Sequence, residues 1–203
     1  HVYGDVASGI AYDAVSTRSE DSVAKIMNGE DPEKVLHSLV VEINKKIMDQ
    51  SLENREMSGM GTTLVMAIVS NDKLHISNVG DSRLYLYRDS KLTLLTVDHS
   101  VVQEMYEQGI ISKAEAEEHP QKNILTRAVG CDKEVNPDYF EYDIHKQDIL
   151  ILCTDGLSNV VDDSVMIEII EKNSDLDSLC GELVTHANRN GGLDNITCIA
   201  VKI

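Results

Sequence analysis

Tryptophan is absent from this 203-residue sequence and phenylalanine occurs once, so seven tyrosines make up nearly all of its aromatic content. The core must therefore be built from aliphatic side chains. Cysteine is sparse as well. Cys131, Cys153, Cys180 and Cys198 are widely spaced with no CxxC pair, which excludes a zinc-ribbon site and a disulfide framework and suits a reduced, cytoplasmic compartment. Cys153 and Cys198 lie within apolar runs and read as buried small hydrophobes. No apolar run approaches the roughly 20 residues needed to cross a bilayer, and no signal peptide is visible, so no membrane association is expected. Basic residues are scarce too: 18 Lys and Arg face 35 Asp and Glu, a net charge of −17. Nucleic-acid phosphates would be repelled by that surface, so general nucleic-acid binding is excluded. What remains, with 42% hydrophobic and 26% charged residues, is an ordinary globular composition in a length suited to one domain, 1–203.

Hydrophobic spacing divides the chain into helices and strands. Val6, Ala7, Ile10, Ala11, Ala14 and Val15 follow a helical period. Asp31-Pro32 opens a second helix, with Asp31 as N-cap and Pro32 in the first position, burying Val35, Leu36, Leu39, Val40, Ile43 and Ile47. The polar stretch 49–58 reads as a connecting loop. Strands are predicted over 64–69, 74–78, 83–87 and 92–96, joined by the short turns 70–73 and 88–91, which imply antiparallel pairing. Further strands fall near 139–144 and 149–153, helices near 163–172 and 176–189, and a closing strand over 196–203. Helices grouped between blocks of antiparallel strands indicate α+β layering. The segment 98–130 breaks the pattern. Gly109 and Pro120 interrupt its short helical pieces and large apolar residues are few, so it reads as a flap inserted between sheet strands.

The most informative stretch is Leu150-Ile-Leu-Cys-Thr-Asp-Gly-Leu-Ser-Asn159. Its apolar run stops at Asp155-Gly156, as when a buried strand delivers a carboxylate to the edge of a sheet. Asp81 stands at a similar corner after Gly80, and Asp194 lies in Gly191-Gly192-Leu193-Asp194-Asn195-Ile196-Thr197 before the last apolar run. Three aspartates at strand ends can converge on a hard cation, which points to a metal-dependent hydrolase. Singly, each has a plainer reading: Asp81 as an Asx-type turn with Ser82, Asp155-Gly156 as a strand-end turn, and Asp194-Asn195 as a loop former. Asn195 reads as structural, orienting Asp194. Gly59 and Gly61 lack the Lys of a phosphate-binding Walker loop, and Thr62 and Thr63 read as strand-start residues. Arg83 and Arg127 read as hydrogen-bonding residues before phosphate ligands. His99 and His119 show no metal-ligand spacing, and Met60, Met66 and Met105 read as core fillers.

Taken in order, Gly-Met-Gly-Thr-Thr at 59–63, Val-Gly-Asp-Ser-Arg at 79–83, Asp-His-Ser at 98–100, Leu-Thr-Arg-Ala-Val-Gly at 125–130, Cys-Thr-Asp-Gly-Leu at 153–157 and Asp-Asn-Ile-Thr at 194–197 carry a resemblance. The chain resembles the bacterial branch of the metal-dependent PP2C-type (PPM) serine/threonine protein phosphatases. That resemblance implies an α-β-β-α sandwich of two antiparallel sheets flanked by helices, with a flap subdomain over 99–130. It implies two Mn²⁺ or Mg²⁺ ions, with Asp155 and Asp194 among their ligands, and Asp81 holding a third. Hydrolysis would proceed by a metal-activated water on phosphoserine or phosphothreonine in protein substrates. The expected setting is cytoplasmic, the expected state a monomer, and the expected partners a bacterial Ser/Thr kinase and its targets.

The resemblance also implies what should precede His1. Relatives of this type open with a strand bearing a phosphate-binding arginine, and a second strand ends in Asp-Gly-Met-Gly-Gly-His, whose aspartate bridges both metals. His1 matches the last residue of that motif and is a candidate for a catalytic, proton-transferring role. The domain is therefore expected to be N-terminally incomplete here, and the bridging aspartate and phosphate arginine match no residue present. Two other readings stay open: a regulatory phosphatase of an anti-sigma-factor antagonist, against which the flap counts, and a pseudophosphatase or acidic binding module, against which the three aspartates count.

Overall fold

The computed structural model describes residues 3–203. His1 lies outside the described residues. The chain forms two compact units, one comprising the residues up to Gly80 with Asp98–Tyr142, the other Asp81–Val97 with Asp143–Ile203.

The first unit opens with helices α1 (Gly4–Met27) and α2 (Pro32–Glu53). Asp31 caps α2 by accepting from the Glu33 N–H at 3.1 Å, with Pro32 fitting the first turn because its missing donor would be unpaired there anyway. The apolar face expected of α2 is the buried one, all six residues of it. Ala7, Ala11 and Ala14 meet it from α1, their small side chains letting the two helices approach closely. Beyond them come strands β1 (Leu64–Ser70), β2 (Lys73–Val79) and β5 (Asp138–Asp143), a three-stranded sheet in the order β1-β2-β5. Met60 and Met66 pack in the same core, as expected.

One helix outruns its periodic signal, and one sequence expectation needs correction. Helix α1 runs on through 16–27, where only Ser22 and Ile26 are buried, so hydrophobic spacing had nothing to report. An i,i+4 pair, Asp21 with Lys25 at 2.8 Å, lies on this polar extension. Likewise 49–53 continues α2, and only then does a 3-10 turn, Arg55–Met57, lead out. Polar residues with adequate helix propensity prolong a helix that is already nucleated.

The second unit holds β3 (Arg83–Arg88), β4 (Lys91–Leu94), β6 (Ile149–Cys153) and β7 (Cys198–Lys202) in the order β4-β3-β6-β7, every pair antiparallel. Helices α6 (Asp163–Lys172) and α7 (Leu176–Arg189), which match their predicted bounds, pack Met166, Ile169, Ile170, Leu179 and Leu183 into a core with Tyr85, Ile151 and Cys153. The closing strand begins at Cys198, two residues later than expected, because Ile196 and Thr197 belong to the loop before it. Cys198 is half-buried, its Sγ 3.9 Å from that of Cys180, and burial pushes its thiol well up.

Both predicted hairpins turn on two residues of positive φ, Asn71 and Asp72 (50° and 60°) and Asp89 and Ser90 (50° and 58°). That is the type I′ geometry whose twist suits tight antiparallel pairs. Between the sheets' strands, residues 98–130 carry the short helices α3 (Val101–Glu107) and α4 (Lys113–Glu117). Ser112 and Glu115 form a capping box on α4, and Gly109, with φ of 70°, follows the end of α3.

In the second unit a half-buried arginine meets a buried carboxylate. Asp148, 2% exposed, receives Arg88 Nε at 2.8 Å and Nη2 at 2.6 Å, and the His145 N–H at 2.7 Å. Arg88 also reaches the Asp143 carbonyl at 2.9 Å, tying the β3–β4 hairpin to the approach into β6. The Arg88 hydrogen bond outweighs burial and holds the Asp148 carboxyl below its ordinary range. A depressed carboxyl contributes stability above its unfolded value, about 3.9, and loses it as pH falls through the folded value. Arg88→Met, leaving that carboxylate buried without its partner, is expected to cost about 3 kcal/mol in urea denaturation at pH 7. The gap to the wild type should narrow once acid protonates Asp148; an unchanged denaturation midpoint at pH 7 would show the pair to be energetically idle.

Candidate metal centre

The three candidate ligands belong to one end of one sheet. In the β3–β6 ladder Arg83 pairs with Cys153, and in the β6–β7 ladder Cys153 pairs with Cys198. Asp81 therefore stands just upstream of β3, Asp155 just downstream of β6, and Asp194 in the loop entering β7. Antiparallel pairing alternates strand starts with strand ends, so neighbouring strands deliver all three to the same sheet end.

Local chemistry explains each placement. The apolar residues of β6 are drawn inside, and the chain turns at once into the single-turn helix α5 (Asp155–Ser158). Asp155 is half-buried there, its Oδ2 accepting from Asn159 Nδ2 at 3.2 Å. Gly156 is required by close approach, since a Cβ would collide with the Asn195 carbonyl. Asp194 is exposed, and its Oδ1 accepts from the Asn195 main-chain N–H at 2.7 Å. The contact between those two residues is made by the Asn195 backbone. Asp81 is half-buried at the head of β3. Arg83 donates to the Tyr85 hydroxyl at 3.1 Å, a structural bond of the kind expected.

Among the described residues, no three His, Cys, Asp or Glu side chains close on a single point where an ion would be fully held. Mg²⁺ and Mn²⁺ need less than that. Mg²⁺ commonly binds through one or two carboxylates and keeps several waters, and hard oxygen donors suit both ions. The aspartate carboxylates at this sheet end are of the donor type that such a hydrated cation takes.

The remaining motifs sort into packing and a second polar cluster. Thr62 and Val129 exchange two main-chain hydrogen bonds, 3.0 and 2.9 Å. Asn44 of α2, itself buried, accepts from the Gly130 N–H at 2.6 Å and donates to the Asp132 carbonyl at 2.8 Å. Gly130, at φ of 96°, lies so close to Ile47 that a side chain would collide with it, and Gly61 stands likewise against Cys131. The 59–63 and 125–130 motifs are thus one packed constellation, and Gly59-Met60-Gly61 needs no phosphate to explain it.

Sequence reasoning missed the cluster around His99. This side chain is 3% exposed, and its Nδ1 accepts from the Gly80 N–H at 3.1 Å. That leaves the ring proton on Nε2, facing Asp138 Oδ2 at 3.1 Å, while Arg127 Nη1 donates to Asp138 Oδ1 at 2.6 Å. Burial acts to raise the Asp138 carboxyl, but the bonds from His99 and Arg127 outweigh it and hold it below the ordinary range. The base of the 99–130 segment is closed by main-chain bonds from Thr126 to His99 at 2.9 Å and from Val101 to Ile124 at 2.9 Å. No spacing signal links residues so far apart in the chain.

Comparison with known proteins bears on the whole chain. The sequence profile of Protein phosphatase 2C matches residues 5–196. Serine/threonine phosphatase stp of Listeria monocytogenes serotype 4b (strain F2365) is 41% identical over 202 residues, covering 100% of this chain and 80% of that protein. The crystal structure of the Mycobacterium tuberculosis serine/threonine phosphatase PstP/Ppp superposes with a TM-score of 0.91 at 32% identity, covering 100% of this chain and 83% of that one. A structure of the catalytic domain of PstP in complex with two manganese ions gives 0.86 at 31% identity, covering 100% and 82%. The chain belongs to the protein phosphatase 2C family. Its α+β architecture, two antiparallel sheets flanked by helices, is the expected one and is shared with these solved structures.

His99→Leu should leave the Gly80 N–H unpaired and remove one donor from Asp138, lowering stability by about 2 kcal/mol in thermal or urea unfolding. In the same variant the Asp138 carboxyl should titrate higher than in the wild type, as read by carboxyl-carbon NMR; an unmoved titration would show that His99 does not bear on it.

Proposed function

We propose that this chain hydrolyses phosphoserine and phosphothreonine esters in proteins, with Asp155 and Asp194 holding the divalent cations on which the reaction depends and Asp81 holding a further one. The observation that carries this reading is the delivery of three aspartates to one end of the β3-β6-β7 ladder in a chain of the protein phosphatase 2C family. Uncatalysed phosphomonoester hydrolysis is among the slowest reactions known, so charge neutralisation and an activated water are both needed. Bound Mn²⁺ or Mg²⁺ supplies them as a Lewis acid that lowers the pKa of water.

The residues present have separable tasks. Asp155 leaves a buried strand and is bracketed by its neighbours, so its oxygens are positioned before any ligand arrives. Asp194 is exposed at the rim, where a hydrated ion and a phosphate can reach it. Segment 99–130 serves as the flap. It offers exposed Tyr106, Ile110 and Ile124 beside its charged residues, a surface of the kind that contacts a polypeptide substrate. His1 is kept as a candidate for proton transfer.

The protein acts as a cytoplasmic monomer opposing a Ser/Thr kinase and taking that kinase's targets as substrates. Supporting this setting, among the described residues none of the four cysteines is in a disulfide and no helix is long and apolar enough to cross a membrane. The net charge of −17 speaks against nucleic acid as partner or substrate.

The test is hydrolysis of a phosphothreonine peptide with Mn²⁺ and with chelator, beside Asp155→Asn. Turnover should require Mn²⁺ and fall in the variant by more than the ~100-fold that loss of an outer-shell partner reaches. A folded chain that binds Mn²⁺ without turnover would instead favour the binding-module reading. Asp81→Ala should lower the number of Mn²⁺ ions bound in a titration; unchanged stoichiometry and turnover together would remove Asp81 from the centre.

A further inference from the structure

Thr154 occupies the N-cap position of α5, where a threonine hydroxyl ordinarily accepts from an N–H in the first turn of its own helix. Here it makes no such bond. The hydroxyl is turned to the neighbouring loop instead: Oγ1 accepts from the Thr197 N–H at 3.0 Å and donates to the Asn195 carbonyl at 3.3 Å. Its own N–H donates to the Thr197 carbonyl at 3.1 Å, so the residue grips Asn195 and Thr197 by both main chain and side chain.

Asn195 continues the connection. Its carbonyl takes the Thr154 hydroxyl and also lies where a Cβ on Gly156 would collide, while its N–H donates to Asp194 Oδ1 at 2.7 Å. One short path of bonds therefore runs from the residue before Asp155, through the Asn195 backbone, to the Asp194 carboxylate. Thr154 and Gly156 flank Asp155 and meet the same carbonyl, one by a hydrogen bond and the other by leaving room for it.

We propose that Thr154 is a positioning residue whose hydroxyl fixes the separation of the Asp155 and Asp194 carboxylates and so sets the affinity for divalent cation. This rests on the reading of those two aspartates as cation ligands. The ladder bonds of β6 and β7 hold the strands in register, but Asp194 stands beyond the last ladder pair, in an exposed glycine-rich loop. Without the hydroxyl the β6 corner keeps its course and the 194–197 loop loses its side-chain tether. A cation needing both carboxylates must then order that loop itself, and its affinity falls by the cost of doing so.

The experiment is calorimetric titration of Mn²⁺ alone, without substrate, into the wild type, Thr154→Val and Thr154→Ser. Valine keeps the shape and lacks the hydroxyl; serine keeps the hydroxyl. Valine is expected to weaken Mn²⁺ binding about 10- to 100-fold, the range for residues that orient metal ligands, while serine remains near the wild type. Should the valine variant fail to show a cooperative melt in chelator, Thr154→Ala replaces it with the same expected loss. Wild-type affinity in the folded variant without a hydroxyl overturns the proposal, and so does equal weakening by serine. Asp155→Asn separates the two levels: if that variant binds Mn²⁺ as the wild type does, the ligand reading itself has failed, whatever Thr154 does.

Discussion

Strand β6 is the element on which the candidate centre depends. It is hydrogen-bonded on both sides, to β3 and to β7, and its inward residues belong to the aliphatic core beneath α6 and α7. A strand so enclosed has no freedom to slip, because a shift of one residue would carry Ile151 and Cys153 out of the core and turn their neighbours in. Where it ends is therefore set by packing, and Asp155 is delivered to one place. Its partners inherit that placement through the ladders. The Arg88–Asp148 pair works at the opposite end of the same strand, anchoring the approach to β6 just before its first residue.

Much of this was legible from residue order, for identifiable reasons. The α2 face follows a clean helical period and the hairpin turns carry Asn-Asp and Asp-Ser where positive φ is needed. The run into Asp155 announces a buried strand and its exit. The features that residue order does not announce lack a periodic signal. The second half of α1 is mostly polar, with Ile26 its one buried apolar residue, and the end of α2 is helical by propagation. Clusters built from distant positions lack such a signal as well. Asp138 carries no signal of its own in the sequence because its partners His99 and Arg127 come from either end of an inserted segment. Aspartates 81, 155 and 194 could be named as candidates from motif and chemistry, yet their arrival at one sheet end depends on pairings that span the whole 98–142 insertion.

The two kinds of glycine in this chain have different physical grounds. Gly109 is where the backbone itself turns left-handed after a helix. Gly61 and Gly156 are where another part of the chain comes too close for a side chain, Gly130 combines both grounds, and each of the three marks a contact between two of the family-like motifs or between a motif and α2. Read this way, the motifs describe how loops are clamped as much as where the chemistry sits.

The second unit is written in two pieces, Asp81–Val97 and Asp143–Ile203, with a long stretch of the other unit between them. During synthesis the β3–β4 hairpin emerges early and must wait for β6 and then β7 before its sheet can close. At about 5–20 residues per second that wait lasts seconds, long compared with hairpin formation. Throughout it, β3 presents an open edge. Asp155 reaches its place only with β6, and the loop bearing Asp194 is tethered only once Thr197 has been added. Until Thr197 has been added, a nascent chain accordingly lacks the tether that holds the Asp194 loop to the end of β6.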